Sequence, residues 1–163
     1  MKGQVISADF VVAFFIFLAI VLGLFLSWNG ATDTIGQIYS RNAMQRAGGL
    51  AADSLVRSPG EPDDWTAASV TALGLADDAP NVLNADKVSR MLNVPYETSR
   101  NMLRMPTDFS LEINRTSGAA FTVNNTQAVY GTQPFANATN IVVVRRLVVM
   151  GGIPGVLTMK VWA

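Results

Sequence analysis

The chain opens on an unbroken apolar stretch and ends on alternating positions, and between them the period changes twice. From Phe10 to Trp28 the sequence FVVAFFIFLAIVLGLFLSW carries no charge over 19 residues. As a helix this run spans about 28 Å, close to the roughly 30 Å hydrocarbon core of a bilayer. It has no polar face, which a core helix of a water-soluble domain would show. Beyond Trp28 the pattern turns amphipathic. Ile35, Tyr39, Ala43, Ala47, Leu50 and Leu55 recur at helical spacing, with Gln37, Arg41, Gln45, Arg46 and Asp53 between them. The pattern predicts one long helix over residues 5–57. Gly30, Gly36 and the Gly48-Gly49 pair are expected to weaken or bend it, and Ser58-Pro59-Gly60 ends it.

Residues 59–106 read as short elements and turns. Pro62-Asp63-Asp64-Trp65 is a turn whose Trp65 is a candidate core plug, and 69–75 fits a short strand or a helical turn. Asn84 is an expected N-cap for a helix over 85–92 with Val88, Met91 and Leu92 on one face. Pro95 suits the first turn of a second helix reaching Leu103, with Tyr96, Ser99 and Leu103 aligned and Pro106 as the stop. The last third changes to a period of two. Phe109, Leu111 and Ile113 alternate with Ser110, Glu112 and Asn114 as a half-buried strand. Ser117-Gly118 turns the chain, and Phe121 and Val123 resume the alternation. The β-branched run 140–150 reads as a central strand, Gly151 to Gly155 as a turn, and 156–162 as the closing strand. Helices followed by strands predict an α+β fold: a long N-terminal hydrophobic helix, then a small head of short helices and an antiparallel sheet. The expected division is residues 1–3, a long helix over 4–57, and an exposed head over 58–163.

Composition narrows the chemistry. The 163 residues contain no cysteine and no histidine, and 12 basic residues balance 12 acidic ones. Disulfides, thiolate metal sites and cysteine nucleophiles are excluded. The commonest general base near neutral pH is missing too. A neutral chain lacks the basic stripe that nucleic acid requires. No enzyme, cofactor or metal site is expected.

Asp77-Asp78, with Asn81 and Asp86 nearby, lack the alternate ligand spacing and closing Glu of an EF-hand loop. Solvated loop acids are the simpler reading of these and of Asp63-Asp64. Arg145 and Arg146 are strand neighbours and point to opposite faces, so they form no common patch. One is expected in solvent, and the other at an edge or against a neighbouring subunit. Three glycosylation acceptors occur in the head, at Asn114, Asn124 and Asn137, each followed two residues on by Thr.

The start of the chain adds a family resemblance. MKGQVISADFVVAFFIFL places a basic residue, then Gly3-Gln4, then the acid Asp9 immediately before the apolar run. This order resembles the class III signal peptide of archaeal type IV pilins. The acid is Asp where Glu is common, and it falls one place later than usual. The resemblance implies cleavage between Gly3 and Gln4 by a membrane-embedded prepilin peptidase, leaving the helix on the mature subunit. It implies pairing of Asp9 during assembly, with the 10–28 helix first in the membrane and then in a filament core. Expected partners are further copies or other pilins, the peptidase and the assembly platform, and no nucleic acid. The expected location is a membrane with an extracellular head, then a cell-surface filament, adhesive and carrying sugars. The alternative is a single-pass membrane-anchored extracellular binding or envelope accessory protein that does not polymerise.

Overall fold

A computed structural model describes residues 3–135, 138 and 140–163. A single helix, α1, runs from Gly3 to Arg57. It continues through Gly30, Gly36 and Gly48-Gly49 without interruption. The chain divides into two compact units, one ending at Ser40 and the other Arg41–Ala163. The second unit, called the head below, takes in the last four to five turns of α1. The fold is α+β: a long apolar N-terminal helix, then a small domain with a mainly antiparallel sheet and short helices.

After α1 come strand β1 (Val82–Leu83), helix α2 (Ala85–Met91), helix α3 (Tyr96–Met102) and strand β2 (Asp108–Arg115). Then follow β3 (Thr122–Val123), β4 (Thr126–Gln127), β5 (Val129–Gly131), β6 (Ile141–Met150) and β7 (Ile153–Trp162). Five strands form one sheet in the order β1-β6-β7-β2-β5, and β3 and β4 form a separate two-stranded ribbon. Every pairing in the large sheet is antiparallel except the short parallel contact of β1 with β6. β7, expected to close the sheet, lies at its centre between β6 and β2.

Local chemistry explains most boundaries. The Asn84 side chain accepts hydrogen bonds from the Asp86 and Lys87 N–H groups, satisfying donors that a helix start leaves free. Pro95 caps α3. That helix ends before Pro106 can act: Leu103 is its C-cap, and Arg104 turns to a left-handed φ of 51°. The turn between β6 and β7 needs only Gly151 and Gly152, at φ 57° and 77°. Both backbone angles are costly for a residue with a Cβ. Ile153 to Gly155, expected in that turn, belong to β7 instead.

The core lies on one face of the sheet. Phe109, Leu111 and Ile113 of β2, Val142, Val144 and Val148 of β6, and Leu157, Met159 and Val161 of β7 are buried there with Met44, Ala51, Ala52, Leu55 and Val56 of α1. The helix comes close because position 48 has no side chain. A Cβ on Gly48 would lie 2.9 Å from Val161 Cγ2 and 3.4 Å from Val144 Cγ2. Trp65 fills the core as expected and is fully buried. Its indole N–H donates to the Pro59 carbonyl at 3.2 Å and the Gly74 carbonyl at 3.1 Å, holding together the loop that follows α1.

Candidate functional site

The feature that most demands a partner is the first part of α1. From Phe10 to Trp28 all fifteen large apolar side chains are exposed, and the span is long and apolar enough to cross a membrane. Full burial of such side chains is worth about 1.5–3 kcal/mol each, so water on this surface would forgo about 20 kcal/mol or more. Whole domains are stable by only about 5–15 kcal/mol. Such a surface is compatible with anchoring in a hydrocarbon layer. Asp9 is exposed where the apolar run begins. Gly3 and Gln4 are the first two residues of α1.

A cavity of the head, of about 630 Å³, lies between the α1 residues Ala43, Ala47, Leu50 and Ala51 and the C-terminal end of α3 at Met102 and Leu103. A second, of about 280 Å³, gathers Asp63, Asp64, Asp77, Asp78 and Asp86 around Lys87 and Arg90. Lys87 supplies the cation there. Its buried ammonium donates to Asp63 Oδ1 at 2.7 Å and to the Ala76 carbonyl at 3.1 Å. Asp77 accepts from the Asn84 amide at 3.0 Å. Among the described residues no three acids converge as metal ligands.

The paired arginines divide their roles. Arg145 is exposed. Arg146 is engaged within its own head. It grips Asp53 of α1 through Nε–Oδ1 at 2.8 Å and Nη2–Oδ2 at 3.2 Å. This two-point pair fastens the sheet to the helix and holds the Asp53 carboxyl below its usual pKa, chiefly through the Arg146 hydrogen bond. Two tyrosines pin the short helices. Tyr130 Oη bonds the Val94 carbonyl at 2.8 Å and Ser99 Oγ at 2.7 Å. Tyr96 Oη donates to Asp108 at 3.0 Å and accepts the Phe109 N–H at 2.9 Å. Burial raises the pKa of both phenols, so they remain protonated donors across the neutral range.

The three acceptor asparagines fall in different settings. Asn114 lies in β2 opposite Val156 and is half-buried. Asn124 and Asn125, at φ 51° and 61°, form the exposed two-residue turn between β3 and β4, a conformation that Asn tolerates well. The Asn124 amide donates to Ser89 Oγ at 2.9 Å. Asn137 lies outside the described residues.

Compared with known proteins, the chain matches no family model, no curated protein and no solved structure.

Proposed function

We propose that the chain is a structural subunit of an archaeal type IV pilus-like surface filament. The observation that carries the reading is the exposed helix surface from Phe10 to Trp28, part of the same helix whose last turns are built into the head core. A lipid bilayer covers such a helix while the subunit is a precursor. Neighbouring helices of the same kind cover it after assembly, and the apolar burial drives polymerisation. The Gly3-Gln4 pair ahead of the helix supports release of a short leader, with the helix kept. Asp9 then stands at the border of the apolar span, where a carboxylate calls for a cation supplied by another subunit. The head remains outside, where Asn114, Asn124 and Asn137 could receive sugars and the surface could adhere.

The test is a Gly3→Val substitution in cells that make the protein. Loss of the small residue before the cut should leave the leader attached and keep the chain out of sheared surface filaments, while the membrane fraction retains it. Filaments that contain the uncut Gly3→Val chain in normal amount would refute the reading.

A further inference from the structure

Among the described residues, the two-residue β1 is the only strand along the outer edge of β6, and the structure shows which backbone groups that edge presents. The Val149 N–H donates to the Asn81 carbonyl at 2.8 Å, on the β1 side. Across from Val149 on β7 stands Pro154, which has no N–H to offer. Val149 therefore points away from β7. Backbone direction alternates along a strand, and β6 pairs with β7 in unbroken register from Ile141 to Met150. The N–H and C=O groups of Ile141, Val143, Arg145 and Leu147 thus point away from β7 as well. β1 pairs only with Val149 and Met150, so it does not cover them. Among the described residues none of these four N–H groups has a backbone partner on that side. The Arg145 carbonyl accepts from Arg146 Nη1 at 3.0 Å.

The same four residues set their side chains on the outer face of the sheet. Ile141, Val143 and Leu147 are exposed there, Leu147 to 75%, with Arg145 the single charge among them. Edge strands are ordinarily protected by shortness, proline, a bulge or inward-pointing charges. β6 has ten residues and no proline, and its pairing shows no bulge. Its inward-pointing arginine, Arg146, is neutralised by Asp53.

We propose that this edge pairs antiparallel with the same edge of a second copy, joining two heads through one continuous sheet. Self-pairing is favoured by the pattern of the strand. A register centred on Arg145 would set two guanidinium groups opposite each other, and one centred on Val143 would leave Leu147 without a partner. A register centred on Val144 pairs Ile141 with Leu147 of the second copy and Val143 with Arg145 of the second copy. It uses all four outward-pointing residues and opposes no like charges. The Arg145 stem then lies along an apolar neighbour with its charge in solvent. The chain carries no net charge to repel a second copy. The inference goes beyond the filament reading, since heads can pair whether or not the leader is cut.

The test is sedimentation equilibrium of the full chain in detergent micelles, comparing the wild type with Val143→Glu and Val143→Lys. Each dimer contains two such cross-strand pairs. The carboxylate that Val143→Glu sets opposite Arg145 should tighten dimerisation. The ammonium that Val143→Lys sets there should weaken it, each change being several-fold and up to about thirtyfold. Lys160, opposite Val143 on β7, acts equally in monomer and dimer and cancels. Adding Arg145→Glu to Val143→Lys should restore the dimer. Equal weakening by the acidic and the basic variant would overturn the proposed register. A monomeric wild type, as expected if the edge takes a different extended chain, would overturn the proposal. So would association indifferent to all three variants, as expected if only the apolar helices meet.

Discussion

Two adjacent glycines in α1 should respond to substitution with opposite signs. Gly49 has nothing within 4 Å of an added Cβ, so Gly49→Ala keeps the helix and removes the entropic handicap of glycine. That change should stabilise the head by about 0.8–1 kcal/mol. At Gly48 the same Cβ would meet Val161 Cγ2 at 2.9 Å and Val144 Cγ2 at 3.4 Å. Both valines are buried in the sheet, where side chains are close-packed. Gly48→Val adds two further carbons at this contact, and overpacking of this kind costs about 1–3 kcal/mol. The helix-propensity gain of valine over glycine, about 0.4 kcal/mol, does not offset it. For a head of this size about 1 kcal/mol corresponds to roughly 3–6 °C. The assay is thermal unfolding in detergent micelles, followed by near-UV circular dichroism of the buried Trp65 and Trp162. The expected order of Tm is Gly49→Ala above wild type and wild type above Gly48→Val. A Gly48→Val protein as stable as the Gly49→Ala protein would refute the claim that α1 lies against the sheet at this residue.

Further outcomes follow from other contacts. Trp65→Phe removes the donor shared by the Pro59 and Gly74 carbonyls and part of a fully buried ring, so denaturant unfolding should show a loss of about 2–3 kcal/mol. Asp53→Asn breaks the pair with Arg146. The folded pKa of Asp53 lies below the ordinary aspartate value of 3.8, so its contribution is present above that value and fades as pH falls through the lower folded pKa. Both partners are about a third exposed, which limits the loss at pH 7 to about 0.5–1 kcal/mol. The gap in denaturant midpoint between wild type and Asp53→Asn should close as the solution is acidified below about pH 4. Leu18→Arg sets a cation within the apolar run at a cost of about 2.5–3.5 kcal/mol for insertion, and carbonate-washed membranes should retain less of it than of the wild type.

The parts of this molecule that depend on near neighbours were readable from sequence. The 19-residue uncharged run from Phe10 marks the apolar helix without any tertiary information. Asn84 marks the start of α2, because capping is a bond to N–H groups two and three residues away. The alternation at Phe109, Leu111 and Ile113 marks β2 and its buried face. The parts that depend on distant chain were not readable. Gly48 reads as a helix weakener until Val144 and Val161 are seen beside it. The Asp53–Arg146 pair joins residues 93 apart, and nothing local to either names the other. The β-branched run at 141–150 reads as a central strand because continuous apolarity implies burial on both faces. Here the inner face is buried, the outer face is exposed, and among the described residues most of one edge has no strand beside it. That mismatch between pattern and burial is the signal behind the proposed pairing of heads.

The most direct measurement is the N-terminus of the protein sheared from native cells, read by intact mass and terminal sequencing. A filament subunit of the proposed kind begins at Gln4 and retains the whole run from Phe10 to Trp28. A mature protein that still begins at Met1, or one that begins beyond Trp28, would contradict it.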